Sequence, residues 1–120
     1  MNKKTIVIVE DDFLIAEDLR GMCEEFGATV LGMASSADRA FEEIKAHRPQ
    51  YVLMDVRLGG KRDGVDVAQW VHDIMPEIKL IFITGSNEPP TIARIQQDHP
   101  YRILIKPIAP QQLKEALYAS

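Results

Sequence analysis

Short apolar runs alternate along this chain with longer segments in which apolar residues recur at every third or fourth position. Runs of four to six residues rich in Val, Ile and Leu are typical of buried strands. Recurrence at helical intervals, as at Ile15, Leu19 and Met22, places an apolar stripe on one side of a helix. The pattern predicts strands over 5–9, 28–33, 51–54, 80–83 and 102–105, and helices that include 15–26, 37–44, 64–74, 91–97 and 111–118.

Apolar strands that are separated by helices favour a parallel sheet, because parallel strands need crossover connections and are buried on both faces. Right-handed crossovers leave few topologies for five such units. We therefore expect an α/β fold, a single flavodoxin-like (βα)5 domain over residues 1–120 with helices on both faces. The strand order 2-1-3-4-5 is borrowed from known five-unit folds of this kind.

Composition narrows the class of protein. The chain has 120 residues, of which 46% are hydrophobic, enough for one ordinary core. Its net charge of −4, with both signs interspersed, argues against direct binding of nucleic acid. No run approaches the roughly 18 apolar residues of a membrane span, so we expect a cytoplasmic protein with no membrane contact. The single cysteine, Cys23, lies in an amphipathic pattern and is expected in the core.

Reactive side chains follow four of the five predicted strands. They are the acidic run Glu10-Asp11-Asp12, then Asp55, Thr84 and the pair Lys106-Pro107. In open α/β sheets, ligands bind beyond the carboxyl ends of the strands, where the strand order reverses. Any one of these residues alone would be interpreted as a turn or helix-cap residue. Together, in this order, they predict a functional site.

Acids at the ends of neighbouring strands repel each other unless a cation joins them. Carboxylate oxygens without Cys or His nearby favour Mg²⁺. The histidines, at positions 47, 72 and 99, are scattered along the chain, which argues against zinc. Lys106 and Thr84 suit the oxygens of a phosphoryl group, and Asp55 is the natural nucleophile. The set predicts Mg²⁺-dependent phosphoryl transfer.

Four short motifs resemble those of receiver domains of two-component response regulators, over essentially the whole chain. They are Ile8-Val9-Glu10-Asp11-Asp12, Leu53-Met54-Asp55, Ile83-Thr84-Gly85 and Ile105-Lys106-Pro107. The resemblance implies that Asp55 accepts a phosphoryl group from the phosphohistidine of a histidine kinase or histidine phosphotransfer protein. It also implies that Glu10, Asp11, Asp55 and the backbone carbonyl of Arg57 form the metal site, and that the Lys106–Pro107 peptide bond is cis. Asp12 would then begin the first helix.

By the same resemblance the chain is a signalling domain rather than an enzyme, with self-catalysed dephosphorylation. Phosphorylation would draw Thr84 inward and alter the surface of the fourth helix, the fifth strand and the fifth helix. This surface would then control an effector or output domain. Such a chain is either a stand-alone receiver or a piece of a longer regulator or hybrid kinase. The sequence leaves homodimerisation open.

Two segments depart from the receiver pattern. Ile103 occupies a position that is often aromatic, and Tyr101 could replace that aromatic if the last strand extended far enough to place both residues on one face.

The loop from Leu58 to Gly64 is unusually long and glycine-rich. It is either a solvated loop or a segment in which Lys61 or Arg62 contacts a partner or the phosphoryl group.

Two other functions fit the same residues. A small Mg²⁺-dependent phosphohydrolase could use Asp55 as its nucleophile, but such enzymes need a second acid for the leaving group and usually a capping element. A receiver-like interaction module could bind partners without being phosphorylated. The complete set of acids, Thr84 and Lys106 argues against that module.

Overall fold

The computed structural model describes residues 4–55, 64–85, 93, 96 and 101–118. The strands are β1 (Thr5–Val9), β2 (Thr29–Ala34), β3 (Tyr51–Asp55), β4 (Lys79–Thr84) and β5 (Arg102–Ile105). The helices are α1 (Phe13–Glu25), α2 (Ala37–His47), α3 (Gly64–Ile74) and a C-terminal helix (Pro110–Tyr118). Within the helix predicted over 91–97, Ala93 and Gln96 are helical, and the other positions lie outside the described residues.

The strands form one parallel sheet in the order β2-β1-β3-β4-β5, which confirms the predicted fold. The central strand β3 pairs with β1 on one side and β4 on the other, so that Leu53 lies between Ile8 and Ile81. The last residues of the strands form the carboxyl edge of the sheet, and their first residues form the amino edge. Among the described residues, no helix is long and apolar enough to cross a membrane.

Alternate side chains of each strand enter two separate cores, because successive residues point to opposite faces of a sheet. Val52 and Met54 face the core beneath α2 and α3, whereas Tyr51 and Leu53 face the core beneath α1 and the C-terminal helix. All five residues of β3 are buried, which explains its continuous apolar run. Cys23 is buried in the second core, as predicted, and burial raises its pKa to about 12.

Side-chain caps fix the starts of two helices. Asp12 precedes α1, and its Oδ1 accepts hydrogen bonds from the backbone N–H groups of Leu14 (2.9 Å) and Ile15 (3.2 Å). Ser36 caps α2 in the same way by accepting from the N–H of Arg39 at 3.3 Å. Each cap satisfies N–H groups that have no partner inside the helix. Asp12 therefore begins α1 directly after Glu10 and Asp11, the acidic residues that follow β1.

Candidate functional site

Three acidic side chains meet at the carboxyl edge of the sheet. Glu10 and Asp11 follow β1, and Asp55 ends the neighbouring strand β3. One carboxylate oxygen from each lies within 4.8 Å of the others. Glu10 is only 4% exposed and Asp55 only 7%, whereas Asp11 is open to solvent. The parallel strands thus bring two buried carboxyl groups and one exposed carboxyl group together, as the sequence predicted.

Lys106 supplies the positive charge at this edge. Its Nζ donates a hydrogen bond to Asp55 Oδ2 at 2.9 Å and lies 3.7 Å from Glu10 Oε2. The backbone N–H of Lys106 donates to the carbonyl of Thr84 at 2.8 Å, which continues the pairing of β4 with β5. The Lys106–Pro107 peptide bond is cis, as predicted. The lysine therefore reaches from the end of β5 across β4 to the acids on β1 and β3.

Glu10 is buried beside a second buried carboxyl group, that of Asp55, and both features affect its pKa. Burial raises the pKa of Glu10 to about 8, and the hydrogen bond and charge of Asp55 act in the same direction. The N–H of Asp12, which donates to Glu10 Oε1 at 3.2 Å, and the charge of Lys106 only partly oppose the shift. Without a further cation, the carboxyl group of Glu10 therefore favours its protonated form up to a higher pH than an ordinary glutamate does.

The charge of Lys106 is stabilised by the same acids. Burial lowers the pKa of its ammonium group, but the hydrogen bond and charge of Asp55 outweigh this effect, and the pKa rises above its ordinary value. The hydrogen bond is of the charge-assisted kind, which is stronger than a bond between neutral groups. Lys106 is thus a fixed positive charge directed at Asp55.

Thr84 ends β4, the strand that separates β3 from β5. It is 4% exposed, and its partner in β5 is Ile105, the residue before Lys106. The structure therefore places Thr84 in the row of strand ends that also contains Asp55 and Lys106. All the predicted site residues that lie within the described part of the chain are at this one edge.

The acidic residues fit a divalent metal ion. Among the described residues, Glu10, Asp11 and Asp55 are the group of acidic, His or Cys side chains close enough to share an ion, and all their donor atoms are oxygens. Hard oxygen donors with an exposed member suit Mg²⁺, which keeps several of its waters. Burial and the neighbouring Asp55 raise the pKa of Glu10, and a bound cation would favour its carboxylate form. Arg57, whose carbonyl was expected to join the site, lies outside the described residues, as does the loop 58–63.

A family model described as the response regulator receiver domain matches residues 6–118. The chain belongs to this family. Receiver domains are the signalling domains of two-component response regulators, and this chain is accordingly a signalling domain.

Curated relatives and solved structures agree with this receiver assignment. The transcriptional regulatory protein PdtaR of Mycobacterium tuberculosis is 29% identical over 116 residues, which are 95% of this chain and 55% of PdtaR. The transcriptional regulatory protein CitB of Klebsiella pneumoniae is 30% identical over 118 residues, 98% of this chain and 50% of CitB. The chain spans about half the length of these relatives.

Among solved structures, the signal receiver domain of a modulated diguanylate cyclase from Desulfovibrio desulfuricans is 32% identical. Its TM-score is 0.87, and the match covers 96% of this chain and 90% of that one. The isolated REC domain of RcsB from Salmonella enterica serovar Typhimurium has a TM-score of 0.90 at 20% identity, with 98% and 88% of the two chains covered. At that identity the likeness concerns the fold alone.

Tyr101 does not share a face with Ile103 in this receiver domain. Strand β5 begins at Arg102, so the strand does not extend to position 101. Ile103 packs against the core beneath α2 and α3, whereas Tyr101 packs against the opposite core, with its ring 6.1 Å from that of Tyr51. Tyr101 therefore lies near the amino edge and does not take the place of the aromatic residue that is missing at position 103.

Two residues beside the receiver site were not singled out from the sequence. Phe13 and Leu14 open α1 directly after the acids, and their side chains are 67% and 73% exposed. Large contiguous patches of exposed apolar side chains are typical of surfaces that bind other proteins, and these two residues would contribute to such a patch. Their sequence positions fall outside the buried stripe formed by Ala16, Leu19 and Cys23. This offset could have identified them as exposed apolar residues.

Proposed function

We propose that this receiver domain, formed by residues 1–120, accepts a phosphoryl group from a phosphohistidine onto Asp55 in a Mg²⁺-dependent reaction. The observation that carries the proposal is the hydrogen bond of 2.9 Å between Lys106 Nζ and Asp55 Oδ2, beside the carboxyl groups of Glu10 and Asp11. A nucleophile, a fixed cation and a cluster of metal-binding acids are the parts that phosphoryl transfer needs. Its family membership supports the same function.

In the proposed reaction, a carboxylate oxygen of Asp55 attacks the phosphorus of the phosphohistidine. A new O–P bond forms while the P–N bond breaks, and the electron pair of that bond returns to the imidazole nitrogen. The burial of Asp55 excludes most water from its carboxyl group. Lys106, which pairs with the unphosphorylated carboxylate of Asp55, then pairs with an oxygen of the transferred phosphoryl group.

Glu10, Asp11 and Asp55 would hold the ion, together with the backbone carbonyl of Arg57 that the family resemblance implies. A bound Mg²⁺ supplies positive charge that neutralises the phosphoryl oxygens during transfer. Glu10 must lose its proton to take part, because only the carboxylate form binds a metal ion well. The hydrogen bond from the N–H of Asp12 keeps the carboxyl group of Glu10 oriented at this edge.

The proposed switch begins at Thr84. Its hydroxyl would move to donate to the new phosphoryl group and draw in the end of β4. Because Thr84 pairs with β5, that movement would reach the surface formed by the predicted helix over 91–97, β5 and the C-terminal helix. This surface would control an effector or output domain, and the acyl phosphate would be lost by self-catalysed hydrolysis.

The proposed phosphodonor is a histidine kinase or a histidine phosphotransfer protein. Phe13 and Leu14 offer it an exposed apolar contact next to the acids, at the start of α1. Apolar contacts at this position would hold the phosphohistidine above Asp55 while the site itself stays polar.

Intact mass measured after incubation with Mg²⁺ and a small phosphodonor tests the proposal. We expect the wild type to gain the mass of one phosphoryl group, and we expect chelation of Mg²⁺ with EDTA to suppress this gain. Asp55→Asn should gain nothing, whereas the matched variant Asp18→Asn, which changes an exposed aspartate of α1, should behave as the wild type. An equal gain in Asp55→Asn would show that another residue accepts the group.

A further inference from the structure

A second concave site lies at the amino edge of the sheet, at the opposite end of β3 from Asp55. It is a cavity of about 310 Å³, and Tyr51, the first residue of β3, forms part of its wall. The other residues that matter for its chemistry are Lys4, Arg48, Gln50, Glu77 and Lys79. None of these residues takes part in the phosphorylation site.

The charges around this amino-edge cavity are mostly positive. Lys4, Arg48 and Lys79 line it, against a single acid, Glu77. Among the described residues, none of the three cations forms an ion pair with a carboxylate. The whole chain, in contrast, has a net charge of −4. Within the described part of the chain, three cations without a carboxylate partner face one acid, and this excess of positive charge attracts anions to the cavity.

Tyrosine rings and hydrogen bonds hold this cavity in shape. Lys79 Nζ lies 4.9 Å from the ring centre of Tyr101 and 5.6 Å from that of Tyr51, and Lys4 Nζ lies 5.7 Å from the ring of Tyr51. Such cation–π contacts position an ammonium group without neutralising its charge. The two ammonium groups are therefore held in place before a ligand arrives, which lowers the entropic cost of binding.

Gln50 joins three strands behind the cavity. Its backbone N–H donates to Thr5 Oγ1 at 2.9 Å, its Oε1 accepts from the N–H of Thr5 at 3.2 Å, and its carbonyl accepts from the N–H of Lys79 at 3.0 Å. These bonds connect the starts of β1, β3 and β4. The side-chain oxygen of Gln50 takes part in this network, and its amide also carries an NH₂ donor group at the cavity wall.

Arg48, which lines the cavity, has an unusual backbone conformation. It follows α2 with φ 45° and ψ 61°, the left-handed conformation, and its N–H donates to the carbonyl of Ile44. Glycine is the residue that normally ends a helix in this conformation, because a Cβ atom is strained there. An arginine at this position contributes a charge to the cavity at the expense of local backbone stability.

We propose that this cavity binds a small anion that carries two or more negative charges on phosphate or carboxylate groups. Its volume is at the lower end of the range for sites that bind small molecules. Two ammonium groups, a guanidinium and an amide donor match the oxygens of such an ion. The site is distinct from the phosphoacceptor edge, so its ligand would bind whether or not Asp55 is phosphorylated.

The test is an NMR titration of the ¹⁵N-labelled chain in metal-free buffer, with ionic strength held constant by NaCl. Pyrophosphate serves as the phosphate probe and citrate as the carboxylate probe. We expect saturable shifts of the backbone amides of Arg48, Gln50 and Lys79 with at least one probe, and the probe that binds identifies the chemical class. The absence of saturable shifts with both probes would overturn the proposal. Shifts confined to Gly85 and Lys106 would overturn it as well, because they would place the anion at the carboxyl edge.

Three variants separate binding from folding. Lys79→Gln and Arg48→Gly should each weaken binding about three- to tenfold, the loss expected for one charge-assisted contact that is partly open to water. Arg48→Gly should leave the melting temperature unchanged or raise it, because glycine suits the left-handed conformation. Lys114→Gln, which changes an exposed lysine of the C-terminal helix, should bind as the wild type. Unchanged affinity in both cavity variants would contradict the proposal.

Discussion

At the carboxyl edge, the buried carboxyl groups outnumber the positively charged groups beside them. Two buried carboxyl groups, on Glu10 and Asp55, share one ammonium group, that of Lys106. Burial and the neighbouring Asp55 therefore raise the pKa of Glu10 from 4.5 to about 8. A protein that kept this arrangement only for stability would gain more from apolar residues of similar size. The imbalance is understandable if a cation completes the site.

The titration of Glu10 predicts how stability depends on pH when no metal is bound. Between its ordinary pKa of 4.5 and its folded pKa of about 8, the folded chain binds more protons than the unfolded chain at this group. The free energy of unfolding should therefore fall as the pH rises through that window, and the favourable contribution should be complete only below it. Urea denaturation in EDTA at about pH 5 and about pH 9 measures the change.

The matched variants for this measurement are Glu10→Gln and Glu25→Gln. Glutamine at position 10 cannot ionise, so the loss of stability between the two pH values should become clearly smaller. Glu25 is an exposed residue at the end of α1, and its substitution should preserve the wild-type dependence. The same dependence in Glu10→Gln and the wild type would show that another group is responsible.

Among the elements, α1 connects the site to the fold. Its cap, Asp12, accepts hydrogen bonds from two N–H groups of the first turn and donates its own N–H to Glu10. The same acidic run thus supplies metal-binding candidates and the start of a helix. The sequence could predict this because acids are favourable at a helix N-terminus whatever else they do.

Removal of this cap should destabilise the domain. Asp12→Ala should lower the free energy of unfolding by about 1 kcal/mol, the usual cost of a lost N-cap side chain. Asp18→Ala, at an exposed position within the same helix, should have little effect or a slightly stabilising one, because alanine favours helix. Urea denaturation of the two variants beside the wild type gives the comparison. Equal effects of the two substitutions would mean that Asp12 does not act as a cap.

The strands show which features of the secondary structure the apolar pattern could predict and which it could not. The run before Asp55 was recognisable because β3 is buried on both faces and all its residues are buried. The pattern also predicted β5 correctly over 102–105, but alternation alone left open whether the strand extends back to Tyr101. The register with β4, in which Arg102 pairs with Ile81, sets the first residue of β5. Strand register depends on tertiary packing, so the side of Tyr101 could not be deduced from the pattern.

In the whole molecule, the parallel sheet gathers the ends of its strands at one edge and their starts at the other. The carboxyl-edge site was predictable because its side chains each follow an apolar run, and parallel strands bring such positions together. Which of the crowded acids is protonated most readily was not predictable, because it depends on burial and on the positions of Asp55 and Lys106. The amino-edge cavity was not predictable either, since its cations come from three separate segments that share no motif.

The central claim is that Asp55 itself carries the phosphoryl group. Its most direct test is to phosphorylate the wild type with Mg²⁺ and a small phosphodonor, reduce the acyl phosphate with borohydride and sequence the peptides by mass spectrometry. Reduction converts a phosphorylated aspartate to homoserine, which marks the position permanently. We expect homoserine at position 55 and at no other aspartate position. Homoserine at Asp11 or Asp12 instead, or an unmodified Asp55 in protein that carries a phosphoryl group, would contradict it.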